Sequence, residues 1–178
     1  GQENQSHSDL TLRECPALVS ILMAREVPEC GVDTLLANMH LAYERLSEKL
    51  KRHCETLTAV HDIARVFAKR LGKAPEDLHD KSPPTRHPVI RTHPETGERV
   101  IYVNTAFTDY IEGLNAQESA WLLDHLYATA KDAEIQCRFR WQAGSIAFWD
   151  NRVCQPLAVS DYFPARRVME RVTIAGDK

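Results

Sequence analysis

His7-Ser8-Asp9 places an imidazole and a carboxylate two residues apart. In an extended segment residues i and i+2 point to the same side, so the two groups converge on one point. An imidazole nitrogen and a carboxylate oxygen are two-thirds of the facial set that holds non-haem Fe(II). The same spacing also arises by chance in solvated turns, and spacing alone leaves both readings open. A second pair is Arg167 and Arg171. If residues 166–174 form a strand, Arg167, Met169, Arg171 and Thr173 share one face, with the guanidinium groups roughly 13 Å apart. Inside a barrel such groups require anionic partners, and carboxylate or sulfonate oxygens fit the fork. On an outer face they would make surface ion pairs instead.

The elements that must position these residues are mostly strands. Residues 17–27 (ALVSILMAREV) read as a strand stopped by Pro28, and Asp33–Asn38 as a short second one. Met39–Leu46 and Ser47–Leu57 read as two short helices, with Ser47 an N-cap of the second. Residues 72–86, rich in Gly, Pro and charge, read as an exposed loop. HPVIRTHP and ERVIYVN flank Glu95-Thr96-Gly97 and predict a hairpin. Asn115 with Glu118 forms a capping-box pattern that opens a helix over 116–131, with Trp121, Leu122 and Leu126 expected inside and Glu118 outside. Then come strands at 135–141, where Ile135, Cys137, Phe139 and Trp141 alternate with polar residues, and at 145–151, 153–159 and 166–174. Strands at both ends with helices between them predict a mainly β chain, an antiparallel sandwich or barrel with helical decoration. The βαβ rhythm, a G-x-G-x-x-G fingerprint and a P-loop are all absent from the sequence.

Composition narrows the function. The chain has 178 residues, 22 Lys+Arg against 25 Asp+Glu, and a net charge of −3, so no basic field draws it to nucleic acid or an anionic membrane. Hydrophobic residues at 43% and charged residues at 26% suit a single folded domain rather than a disordered chain. No apolar run approaches the roughly 20 residues of a membrane span, and the polar start Gly1-Gln2-Glu3-Asn4-Gln5 carries no signal-peptide core. Cys15, Cys30, Cys54, Cys137 and Cys154 are widely spaced with no C-x-x-C pair, which argues against a disulfide framework or zinc ribbon and makes a reducing cytoplasm the expected compartment.

Taken together, HSDLTL (7–12), AREVPECGVDTLLANMHLAYERLS (24–47), LTAVHD (57–62), HPVIRTHPETGERVIYVN (87–104), CRFRWQAGSIAFWDNR (137–152) and DYFPARRVMERVTIAGDK (161–178) resemble the taurine/2-oxoglutarate dioxygenase family, which includes alkylsulfatase and phenoxyacetate dioxygenases. The resemblance covers nearly the whole chain in order. It implies a double-stranded β-helix, a jelly-roll barrel holding Fe(II) and 2-oxoglutarate in its mouth. It implies that His7 and Asp9 are iron ligands, that Thr34 and Arg167 grip the distal carboxylate of 2-oxoglutarate, that Arg171 holds the anionic head of the substrate, and that Phe67 lines the substrate pocket. The implied reaction couples decarboxylation of 2-oxoglutarate by O₂ to hydroxylation of a small sulfonate, sulfate ester or carboxylate, with no nucleic acid or membrane partner and with self-association left open.

The sequence departs from the family pattern at three places. Ser6 stands where a Trp is usual, and Val32 breaks the glycine pair before Asp33-Thr34. Pro156 stands where the resemblance places a third iron ligand, a His, and the eight histidines end at His125. Cys154 would share a strand face with Pro156 but is offset by about 6–7 Å. Only six residues precede His7, where family members carry a sizeable segment, so the expectation is one dioxygenase-like domain over 1–178 lacking that segment. Pro156 therefore sets an active dioxygenase against a relative or fragment that keeps the barrel, and with it 2-oxoglutarate binding, but is catalytically impaired. It also predicts that its strand loses a ladder bond or runs along an edge.

Overall fold

The computed structural model describes residues 11–159 and 161–176. Its strands are β1 (Ala17–Glu26), β2 (Thr34–Asn38), β3 (Thr58–His61), β4 (Thr85–Pro88), β5 (Ile90–Thr92), β6 (Arg99–Ile101), β7 (Thr108–Ile111), β8 (Gln136–Phe139), β9 (Ile146–Asp150), β10 (Cys154–Ala158) and β11 (Val168–Ala175). Its helices are α1 (Met39–Glu44), α2 (Glu48–Cys54), α3 (Ala64–Leu71), α4 (Leu78–Lys81) and α5 (Ala116–Thr129). The strands predicted at both ends of the chain form as expected. The 72–86 stretch is less irregular than its composition suggests, because it holds α4 and the start of β4.

Two antiparallel sheets, β11-β1-β9 and β10-β2-β8, make the barrel, which is a jelly roll. Their facing sides enclose an apolar cluster of Ala24, Val32, Trp141, Ala147 and Trp149, with Leu22, Leu36, Phe139 and Met169 packed against it. The strand period explains which residues enter. Leu36 faces this interior, while its neighbour Ala37 faces the other way, into a second core with Met39, Ala42, Leu122 and Leu126 from the inserted helices. The insert also carries a sheet β4-β3-β7 and the hairpin β5-β6. β1 and β11 are direct neighbours, with Ala17 opposite Ala175.

Local chemistry fixes the helix starts. Asn38 accepts from the backbone N–H groups of His40 and Leu41, and Ser47 from that of Leu50. Asn115 and Glu118 form the full capping box of α5. The hairpin closes through Gly97, whose φ of 74° is a left-handed conformation that glycine adopts without strain.

Trp121 is the one misplaced core residue of α5: it is 67% exposed, whereas Leu122 and Leu126 are buried and Glu118 is exposed. The inward stripe is Ser119, Leu122, Leu123 and Leu126. At about 100° per residue Trp121 lies on the opposite side of the helix, where its ring stacks on His125 with centroids 6.2 Å apart. Cys137, expected inside, is exposed as well.

Candidate functional site

Thr34 opens β2 on the interior face and is buried at 4% exposure. Its hydroxyl oxygen accepts the indole N–H of Trp141 at 3.0 Å. Trp141 is itself buried and packs edge-on against Phe139, with ring centroids 4.7 Å apart. The turn before Thr34 is tightly built. Gly31 has φ 84°, and a Cβ there would lie 3.0 Å from the Asp161 carboxylate. Val32, which breaks the expected glycine pair, fills the interior cluster. Asp33 accepts from Arg138 at 3.0 Å, fixing β8 beside β2.

Arg167 lies one residue before β11, its guanidinium carbon 5.7 Å from the centre of the Tyr162 ring. Tyr162 packs against the same interior cluster as Trp141, so Thr34 and Arg167 each contact an aromatic side chain of one cluster. Met169 pairs with Ala24 and Arg171 with Leu22. Cross-strand partners share a face, and Ala24 and Leu22 belong to the interior cluster, so Arg171 takes the inner face of the barrel at an exposed position. Met169 and Arg171 share a face, as strand alternation predicts, and the register decides between the two faces that the spacing left open. Phe67 sits half-buried in α3 and is not among the side chains of the interior cluster.

His7 and Asp9 lie outside the described residues. The chain enters the described region through an anchor that sequence reasoning missed. The Thr11 hydroxyl is 3.0 Å from His61 Nδ1 and accepts from Asn104 Nδ2 at 3.0 Å. The Thr11 carbonyl accepts from His87 Nε2 at 2.8 Å, and the Leu12 carbonyl from the Thr85 hydroxyl at 2.9 Å. Thr108 closes the set against His61 Nε2 at 3.3 Å. Thr11, His61, Asn104 and Thr108 are fully buried. Burial, and then the neighbouring His87, push the His61 pKa down to about 3, so it is neutral at physiological pH.

A second missed network secures the turn between β9 and β10. Trp149 Nε1 donates to the Asn151 side-chain oxygen at 2.9 Å, and the Asn151 amide donates to Ser20 at 2.9 Å. Asp150 accepts from Arg152 Nη2 at 2.6 Å, and Arg152 also reaches Glu95 at 2.9 Å. His93 Nδ1 accepts from the backbone N–H groups of Glu95 and Thr96, so its Nε2 carries the hydrogen and donates to Asp150 at 3.1 Å. Burial raises the Asp150 pKa, but the bonds from Arg152 and His93 outweigh it and hold the group below its ordinary value. The Trp-Asp-Asn-Arg stretch thus sets where β10 begins.

Pro156 is buried in β10 opposite Leu36. In this ladder Met39 N donates to Val153 O at 2.8 Å and Val159 N to Asp33 O at 2.9 Å. Bonded pairs alternate with unbonded ones in an antiparallel ladder, so the Leu36–Pro156 pair is unbonded and the proline nitrogen faces away from β2. No bond to β2 is lost, and β10 is an edge strand among the described residues. The second of the two outcomes expected for Pro156 is therefore the observed one.

Proline offers iron no donor atom, and among the described residues no group of three His, Cys, Asp or Glu side chains could hold a metal ion. Burial, then Cys137 and Asp150, push the Cys154 thiol up to about 11 in the metal-free protein. The described residues do not by themselves complete an iron site.

Residues 1–173 match the model of a family described as taurine catabolism dioxygenase TauD, TfdA. The chain belongs to the TauD/TfdA family. It is 36% identical to an alpha-ketoglutarate-dependent sulfate ester dioxygenase of Pseudomonas putida, over 98% of this chain and 60% of that protein. Among solved structures it superimposes on a taurine dioxygenase from Burkholderia xenovorans with a TM-score of 0.84 at 38% identity, over 97% of this chain and 57% of that one. It also superimposes on AAD-2 in complex with Mn(II) and N-oxalylglycine with a TM-score of 0.92 at 26% identity, over 99% of this chain and 70% of that one. Fe(II) and 2-oxoglutarate are the cofactors of this family. The chain spans 44% to 60% of the length of the first curated relatives it matches. None of its described helices is long and apolar enough to cross a membrane.

Proposed function

We propose that this TauD/TfdA chain acts as a 2-oxoglutarate- and Fe(II)-dependent dioxygenase that hydroxylates a small organic sulfonate, sulfate ester or carboxylate. The observation that supports this reading is that Thr34, through Trp141, and Arg167, over Tyr162, both adjoin the interior cluster, with Arg171 on the same face as Met169. In this assignment the Thr34 hydroxyl donates to one oxygen of the distal carboxylate of 2-oxoglutarate and Arg167 to the other, an arrangement of charge-assisted bonds that holds the cosubstrate in one orientation. Arg171 holds the anionic head of the substrate, and Phe67 contributes to its pocket. Fe(II) and O₂ supply the oxidation, with His7 and Asp9 as the iron ligands that the sequence offers. Relatives named for sulfonate and sulfate ester substrates support the anionic class. A reducing cytoplasm is the proposed compartment.

Thermal unfolding with and without 2-oxoglutarate tests the assignment. At 100 times its Kd the ligand should stabilise the wild type by about 2.7 kcal/mol, and Arg167→Ala should lose that gain. Succinate formation with added Fe(II) tests turnover. No gain in the wild type, or an equal gain in Arg167→Ala, overturns the reading.

A further inference from the structure

Thr34 has a buried partner that determines what its hydroxyl can do. A threonine hydroxyl holds one hydrogen to donate and lone pairs that accept, and it rotates to suit its neighbours. An indole N–H only donates. With Trp141 Nε1 3.0 Å from Thr34 Oγ1, and both residues buried, one of the two lone pairs of the hydroxyl is engaged and its hydrogen is turned away from the indole, which biases the hydroxyl toward donating. Arg167, whose guanidinium lies by the Tyr162 ring that packs against the same cluster, has no acceptor atom at all. Under the assignment proposed above, a ligand group held by both residues meets a donor on each side.

We propose that Trp141 is a positioning residue that fixes the Thr34 hydroxyl as a donor, so that the site takes a carboxylate and discriminates against a carboxamide of the same shape. A carboxylate brings an acceptor oxygen to each side. A carboxamide brings one oxygen and one NH₂, and the NH₂ meets either a hydroxyl held as a donor or a guanidinium. A buried donor facing another donor is left unsatisfied, which is costly in a low-dielectric interior. Without the indole N–H, the hydroxyl can rotate and accept from the NH₂, and the discrimination falls. This inference rests on the assignment of Thr34 and Arg167 to the distal carboxylate.

The test is the ratio of two affinities, measured by calorimetry with Mn(II) present. The probes are N-oxalylglycine, which ends in a carboxylate, and N-oxalylglycinamide, which ends in a carboxamide. Trp141→Phe keeps a ring against Phe139 and removes the N–H. The preference for the carboxylate is expected to fall about 3- to 10-fold, the discrimination of roughly one hydrogen bond. In a Thr34→Val background the same change should leave the ratio where it is, because the coupled partner is gone. A benzothienyl analogue of tryptophan at 141, which keeps the bicyclic shape with sulfur in place of N–H, should reproduce Trp141→Phe even if the phenylalanine variant folds poorly. If Trp141 only packs, both affinities fall together and the ratio stays at the wild-type value, which overturns the inference alone. If the wild type binds neither probe, the assignment of Thr34 and Arg167 fails, and the inference with it.

Discussion

Pro156→His would put an imidazole on the inner face of β10, opposite Leu36, where the resemblance places an iron ligand. The register makes the cost calculable. The nitrogen of residue 156 faces away from β2, so the variant neither gains nor loses a ladder bond. Releasing the proline ring frees the unfolded chain and costs about 0.4–1 kcal/mol of stability. An imidazole buried without a partner costs about 1–3 kcal/mol more. The metal-free variant is thus expected to be about 1.5–4 kcal/mol less stable than the wild type. A divalent metal at 100 times its Kd returns about 2.7 kcal/mol, which in a chain of this size is a rise of about 5–10 °C in Tm. Calorimetric scans of both proteins in chelator and in Mn(II), with an anaerobic Fe(II) titration beside them, measure the difference. The variant should show the larger metal-dependent rise and the lower Kd. A wild-type rise as large as the variant's would refute the reasoning and place the completing ligand outside the described residues.

The buried His61 sets a pH dependence. Its folded pKa of about 3 lies below the unfolded value near 6.5, so the unfolded chain binds the proton first. Stability should be full above pH 6.5 and fall as pH drops through the window from 6.5 to 3, by up to about 1.4 kcal/mol per pH unit. Urea melts between pH 7.5 and 4.5 should show this slope, and His61→Gln should flatten it. Arg152→Ala strips the half-buried Asp150 carboxylate of its main partner. It is expected to cost about 2–3 kcal/mol in a urea melt, below the 3–5 kcal/mol of a fully buried pair. Arg171→Ala should raise KM for an anionic substrate about 10- to 100-fold with little change in 2-oxoglutarate affinity. Arg167→Ala should do the reverse, and steady-state kinetics with each substrate varied in turn separate the two.

Features written in a few adjacent residues were legible in the sequence. The Asn115–Glu118 box, the Ser47 cap and the Gly97 turn depend on partners within three or four positions, and each formed as read. That Arg171 shares a face with Met169 was legible because strand alternation needs no knowledge of the neighbouring strand, whereas which face that is required the register with β1. What escaped depends on distant partners. Trp141 meets Thr34 across 107 residues, and Thr11 meets Asn104 across 93 and His61 across 50. No local pattern announces such bonds. Trp121 was misplaced because adjacent apolar residues were assigned to one stripe, although the helix turns about 100° between them. The harmlessness of Pro156 to the β2 ladder hung on parity: whether its pair with Leu36 is bonded cannot be decided until the register with β2 is known.

The adjacency of β1 to β9 and β11 governs the order in which the molecule can be made. β1 is the central strand of its sheet, yet Val19 pairs with Asp150 on one side and Ile174 on the other. During synthesis at roughly 5–20 residues per second, β1 leaves the ribosome several seconds before either neighbour exists. The inserted helices and the β4-β3-β7 sheet draw their partners from 34–135 and can consolidate first. The interior between the two sheets, with Trp141, Trp149 and Met169, is completed only when β11 arrives. Long-range closure of this kind is slow, and it leaves the apolar β1 exposed to chaperones and to other nascent chains throughout the wait.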